Sequence, residues 1–142
     1  MKIKFITTHL SAFILGLFIM LGATLITNNS YGQSQSAMNI TANNSYKNAD
    51  AELNRIYNKI LKEYSGKPIF IKNIKTAQRL WLKLRDADLA ARYPEKGSYG
   101  SVEPSCRISY LESLTRERIK VLQVWVDGIP EGDICSGSVK FQ

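Results

Sequence analysis

The chain has 142 residues, a length typical of one domain. Its 19 lysines and arginines exceed its 12 aspartates and glutamates, and its only histidine is His9. Because His9 lies in an apolar N-terminal segment, the rest of the chain lacks imidazole, which excludes histidine-dependent catalytic triads and zinc sites. We therefore expect no catalytic residues, no metal and no cofactor.

The first segment has the pattern of a signal peptide. Lys2 and Lys4 precede a mainly apolar run over residues 5–26, and a pattern of small residues ends at Gly32. We predict a signal peptide over residues 1–32, with cleavage after Gly32. The alternative is an uncleaved N-terminal anchor, because the apolar run is long enough to span a bilayer.

Residues 33–142 would then form an exported domain, periplasmic or secreted. Removing Lys2 and Lys4 leaves 17 basic and 12 acidic residues, a formal charge of 17 − 12 = +5. For an exported domain we do not expect nucleic acid as a partner, and we expect membrane contact only through the signal peptide before cleavage. The positive charge suits anionic envelope polymers, although a need for solubility alone also accounts for it.

A first helix is predicted from Met38 to Tyr64, where apolar or small residues recur every three or four positions. Asn, Asn and Ser at positions 43–45 are poor helix formers, so this helix is either continuous or split in two there. Gly66 and Pro68 supply the stop signal that follows it.

A second helix is predicted over residues 68–92, because the run from 77 to 92 contains no proline, glycine or β-branched residue. Gln78, Trp81 and Arg85 recur in it at helical spacing, so an amide and a guanidinium lie on the same face as a tryptophan. Buried polar groups need partners, and we expect the other helices to supply them.

The segment from Pro94 to Pro104 is punctuated by glycine and proline and is predicted to be a loop. With its neighbour Tyr93 it offers Lys96 and Tyr99, amphipathic side chains of the kind that interfaces use. We predict that Tyr93, Lys96 and Tyr99 contact a partner. The alternative is a plain solvated connection.

A third helix is predicted from between Ser101 and Ser105 to about Val126. Arg118 interrupts its apolar stripe, as Arg85 interrupts that of the second helix. Glycines and a proline make residues 127–142 a non-helical tail.

The two cysteines, Cys106 and Cys135, are an even number in a chain predicted to be exported, which favours a disulfide. This bond would tether the tail to the third helix. By the loop-entropy relation it would stabilise the fold by ~3 kcal/mol.

Three motifs occur in order along the three predicted helices. They are Asp50-x-x-Leu53-Asn54-x-x-Tyr57, Gln78-Arg79-x-Trp81-x-x-x-Arg85-Asp86 and Leu114-Thr115-x-x-Arg118. Together they resemble the lysozyme inhibitor LprI-like domain family, over about Met38 to Val126. Ile40 and Leu89 stand where members of that family often carry cysteines, so Cys106 and Cys135 would form an independent pair. The resemblance implies a small exported helical domain and lysozyme as a partner.

The polar residues of the three helices are predicted to form a buried structural network rather than a ligand site. Its members are Asp50, Asn54, Gln78, Arg85, Asp86 (or Asp88) and Arg118. Asp86 and Asp88 do not make a carboxylate pair for glycoside chemistry, because residues two positions apart on a helix point roughly 200° apart.

The sequence thus predicts an all-α antiparallel bundle of three main helices with a disulfide-tethered tail. We expect a non-enzymatic binding protein, and the resemblance implies a lysozyme inhibitor. In the sugar cleft of the enzyme, Lys96 would supply charge and Tyr99 an aromatic contact. The alternative is an envelope-associated structural or scaffolding protein that binds anionic wall or lipid polymers, or another envelope protein. Salt dependence separates the two, because polymer binding weakens steeply as salt screens charge.

Overall fold

In a computed structural model the backbone is described for residues 4–142 and the side chains for residues 32–142. This backbone forms three helices: α1 (Lys4–Glu63), α2 (Pro68–Arg92) and α3 (Glu103–Asp127). The chain divides into two compact units, Met1–Met38 and Asn39–Gln142. The side chains of residues 1–31 lie outside the described part of the chain. The assignment of residues 1–32 as a signal peptide therefore stays a prediction.

The all-helical class and the three helices are confirmed, and α2 and α3 have the predicted bounds. Helix α1 differs, because it begins at Lys4 and passes through positions 43–45 without a break. The Asn43 side chain donates to the backbone carbonyl of Asn39, 2.8 Å away, four residues earlier. Its amide therefore bonds along the helix instead of capping a break. Within residues 32–142 no helix has the length and apolar character required to cross a bilayer.

Aromatic contacts within the second unit establish an antiparallel arrangement. The ring of Tyr64, just after α1, lies 4.6 Å from that of Phe70 near the start of α2, and Phe70 lies 6.2 Å from Trp125 near the end of α3. Further along, Arg85 of α2 bonds to Tyr46 of α1. Helix α2 therefore runs antiparallel to both α1 and α3.

The buried apolar core is concentrated toward the Tyr64 end of the bundle. Its buried members lie on the inward faces of the three helices or, for Tyr64, directly after α1: Leu53, Ile56, Ile60, Tyr64, Ile74, Leu122 and Val126. The α1 members recur every three or four residues, which places them on one stripe. Burial of a side chain of this size stabilises the fold by about 1.5–3 kcal/mol.

The C-terminal tail, residues 128–142, is non-helical as predicted and is anchored by hydrogen bonds. The Ile129 N–H donates to the Lys140 carbonyl, and the Gln142 N–H donates to the Ile129 carbonyl, both at 3.0 Å. The Tyr64 hydroxyl accepts the Lys140 N–H at 3.2 Å and donates to the Trp125 carbonyl at 3.1 Å. Gly128 has φ +83°, and a Cβ there would lie 2.9 Å from the Lys140 carbonyl oxygen, so only glycine fits.

The predicted disulfide is not present, because Cys106 and Cys135 are both free and exposed. Cys106 lies in the first turn of α3, whereas the tail folds back against the opposite end of that helix. The 21 residues from Cys106 to Asp127 span about 30 Å of helix. A disulfide requires Cα atoms within about 7 Å. Backbone and tyrosine hydrogen bonds therefore tether the tail.

Tyr64→Phe should lower the free energy of unfolding by about 1–2 kcal/mol, because it removes two part-buried hydrogen bonds to backbone groups of the tail junction. Tyr57→Phe is the matched control, since Tyr57 is half-buried and its hydroxyl has no hydrogen bond in the described part of the chain. Urea unfolding of both variants measures the difference. Equal destabilisation would show that the hydroxyl of Tyr64 does not hold the tail.

Candidate functional site

A buried carboxylate organises the α2–α3 loop, residues 93–102. Glu103, at the start of α3, is only 4% exposed. Its Oε2 accepts the backbone N–H groups of Gly97 at 2.7 Å and Tyr99 at 3.3 Å. Its Oε1 accepts from Arg107 Nη1 at 3.4 Å. A buried charge is costly without partners, and these partners fix the loop against α3.

Arg107 joins the two ends of the loop. Its Nη1 also donates to the Tyr93 carbonyl at 3.1 Å, and its guanidinium lies 5.4 Å from the Tyr93 ring. The end of α2 is therefore bound to the first turns of α3. Gly97 and Gly100 make the tight path between them possible, since both adopt positive φ values of 87° and 79°.

Three tyrosines pack edge to face at this loop, with Tyr93 in contact with both others, and are called the tyrosine cluster: Tyr93, Tyr99 and Tyr110. The ring centroid of Tyr93 lies 5.5 Å from that of Tyr99 and 6.5 Å from that of Tyr110. The guanidinium of Arg92 lies 4.3 Å from the centroid of Tyr110. Edge-to-face aromatic pairs of this kind contribute about 0.5–1.5 kcal/mol each.

The structure packs two of the predicted contact residues, Tyr93 and Tyr99, against each other, and Lys96 lies on the same loop. Tyr99 is 41% exposed, Lys96 is exposed and Tyr93 is half-buried. Lys96 has no ion pair among the described residues. The sequence-based prediction missed Glu103 and Tyr110. An acidic residue in the first turn of a helix is a general helix-start signal, so the position of Glu103 gave no hint that its carboxylate binds the loop.

The predicted polar network separates into pairs, of which one links α2 to α3. Arg118 Nε donates to Gln78 Oε1 at 3.0 Å, and the guanidinium lies 5.8 Å from the Trp81 ring. Arg118 Nη2 is buried and has no hydrogen-bond partner among the described residues. Burial lowers the pKa of Arg118, because it disfavours the charged form.

A second pair lies on α2 itself. Arg85 Nε and Nη2 donate to Asp86 Oδ1 at 3.1 and 3.0 Å, and Nη1 donates to the Tyr46 hydroxyl at 3.3 Å. The Arg85 side chain is 12% exposed, whereas that of Asp86 is 66% exposed. The exposed Asp86 carboxylate thus holds one edge of the Arg85 guanidinium toward solvent. The same guanidinium lies 5.3 Å from the centroid of the Trp81 ring.

The third pair is local to α1 and does not reach the other helices. Asn54 Nδ2 donates to Asp50 Oδ2 at 3.0 Å, one helical turn away, in an exposed position. The predicted residues are therefore distributed over three contacts instead of one connected network. Among the described side chains, no group of three His, Cys, Asp or Glu residues is placed to hold a metal ion.

Glu103→Gln should increase amide hydrogen exchange at Gly97 and Tyr99 by about tenfold or more, because hydrogen bonds to a charged acceptor contribute about 1.5–3 kcal/mol. A carboxylate accepts at both oxygens, and an amide accepts at only one. Glu117→Gln is the control, since Glu117 lies on the exposed face of α3 and pairs only with Lys120. Unchanged exchange at both amides would contradict the role given to Glu103.

The Gln78–Arg118 contact is tested by a double-mutant cycle. Gln78→Leu should cost about 1–3 kcal/mol of unfolding free energy, because it leaves a buried guanidinium N–H unpaired. In an Arg118→Met background the same change should be neutral within about 0.5 kcal/mol, since that donor is gone. Chemical unfolding of the four proteins gives the coupling. Equal effects in both backgrounds would mean that the two side chains act independently.

Comparison with known proteins places these features in a family. The model of the family described as lysozyme inhibitor LprI matches residues 27–122, which are 96 of the 142 residues. The match includes α2, the α2–α3 loop, Glu103 and the tyrosine cluster, and it ends before the C-terminal tail. No curated protein and no solved structure matches the chain. Because the family model covers more than half of the sequence, the chain belongs to the lysozyme inhibitor LprI family.

Proposed function

We propose that this protein is an exported, non-enzymatic inhibitor of a lysozyme, and that it contacts the enzyme through Tyr93, Lys96 and Tyr99. Family membership supports the kind of partner. The observation that carries the choice of surface is the binding of the α2–α3 loop by the buried Glu103 carboxylate. This contact presents an aromatic group and a free cation on a loop of fixed shape.

The composition of this surface suits a protein interface. Tyrosine and arginine are enriched among the residues that dominate binding energy, and the tyrosine cluster lies beside Arg92 and Arg107. Because the loop is already ordered by Glu103, binding does not have to supply the entropy of ordering it. The same contacts therefore give a higher affinity when the loop is ordered before binding than when it is flexible.

Lys96 provides the group that would occlude the enzyme. Glycoside hydrolases of the lysozyme kind cleave between two carboxylic acid side chains that flank the scissile bond. A lysine ammonium placed between these groups pairs with the ionised carboxylate and excludes the sugar. Lys96 is the only basic residue between Arg92 and Arg107. The inhibitor performs no chemical step, and its effect is to occupy the cleft.

Net charge acts against this association at long range. After removal of the predicted signal peptide the domain carries a formal charge of 17 − 12 = +5, and lysozymes of the c-type are themselves basic. Like charges slow the encounter of two proteins, whereas close contacts set the rate of dissociation. Inhibition should therefore persist or improve as salt is raised. Binding to an anionic envelope polymer would instead weaken.

Lys96→Glu combined with Tyr99→Ala should abolish inhibition, because it reverses the inserted charge and removes the exposed ring. The assay follows the turbidity of a bacterial cell suspension with c-type and g-type lysozymes, at low and high salt. Lys83→Glu is the control, since Lys83 is exposed on α2 and the charge change is the same. Helical circular dichroism should be unchanged in both variants.

Two results would contradict the proposal. The first is an absence of inhibition by the wild-type protein at a large molar excess over each enzyme. The second is equal inhibition by the wild type and the loop double variant, which would move the contact to another surface. The scaffolding function would be favoured if the loop double variant lost binding to cell-wall polymer in proportion to the charge removed, without an effect on lysozyme.

A further inference from the structure

A cavity of about 450 Å³ lies between the end of α2, the α2–α3 loop and the start of α3. Leu89, Ile108 and Leu111 provide apolar walls from two helices, and Pro104 adds to them. Its volume falls within the roughly 300–1,000 Å³ of pockets that hold small ligands. The tyrosine cluster is not among the residues that line it, so the cavity and the exposed tyrosine surface are different features.

The charged groups at this cavity leave one positive charge in excess. Lys96 and Arg107 line it together with Glu103, which gives 2 − 1 = +1. The Glu103 oxygens already accept the N–H groups of Gly97 and Tyr99 and one Arg107 nitrogen. Lys96 has no carboxylate partner in the described part of the chain. The surplus charge therefore lies on Lys96, at the edge of an apolar space.

We propose that this cavity binds a hydrophobic monocarboxylate, with its apolar chain against Leu89, Ile108 and Leu111 and its carboxylate on Lys96. The apolar walls favour binding, because the alkyl chain of the ligand is removed from water against them. The single surplus charge matches a monoanion, and an exposed ammonium retains its three donors for a carboxylate. A sugar would find few polar groups on these walls. This binding goes beyond inhibition and needs no protein partner.

The test titrates the protein, obtained by expressing the full chain, with octanoate, and follows backbone amide signals by two-dimensional NMR. Octanol has a chain of the same length without the charge, and acetate has the charge without the chain. Octanoate should shift the amides of Gly97, Gly100 and Ser101. It should bind about tenfold more tightly than octanol, which corresponds to about 1.4 kcal/mol. Acetate should produce no shift at the same concentration.

Lys96→Gln provides the decisive variant, because Lys96 is exposed and its loss breaks no ion pair in the described structure. It should reduce octanoate affinity to that of octanol, whereas Lys83→Gln, with the same charge lost on the outer face of α2, should leave it unchanged. The amide spectra show whether each variant is folded. Equal affinity of the wild type for octanoate and octanol, shifts confined to other regions, or equal loss in the two variants would overturn the proposal. The outcome does not depend on lysozyme, so it is separate from the test of inhibition.

Discussion

The buried carboxylate of Glu103 determines the shape of the α2–α3 loop at one end of this bundle. It accepts hydrogen bonds from two loop N–H groups and from Arg107. Arg107 in turn donates to the carbonyl of Tyr93, the residue that directly follows α2. Without that charge the two loop amides would hydrogen-bond to water instead, and the position of Tyr99 would no longer be fixed. The walls of the cavity at Gly97 and Gly100 depend on the same contacts.

The two ends of the bundle are stabilised by different interactions. Toward Tyr64 the helices bury leucine, isoleucine and valine side chains. Toward Tyr93 they are joined by cation–π contacts, edge-to-face aromatic contacts and charge-assisted hydrogen bonds instead. Between the ends lie the Gln78–Arg118 contact and Trp81, with two guanidinium groups near its ring. This distribution leaves the loop end free to carry an apolar cavity and exposed tyrosines, because the fold is held together elsewhere.

Helical periodicity was sufficient to predict α2 and α3, since proline and glycine mark their ends and apolar residues recur at the right spacing. The loop composition also predicted Tyr93, Lys96 and Tyr99 as contact residues, which stays a prediction. Periodicity assigns a residue to a face but not to a partner, so Asp50 and Asn54 were grouped with side chains that they do not contact.

The predicted disulfide was wrong for a related reason. Cysteine number and compartment say nothing about where the tail folds back, and it does so at the far end of α3 from Cys106. The role of Glu103 was not predicted, because its burial results from the packing of the loop.

The most direct test of the central claim is amide hydrogen exchange of the protein with and without the lysozyme that the proposed inhibition predicts as its partner. If the Glu103-bound loop is the contact surface, protection should increase across residues 93–102 and around Tyr110. It should stay constant on the exposed face of α2 around Leu80 and Leu84, which lies away from the loop. Protection on that face of α2 with none in the loop would contradict the account.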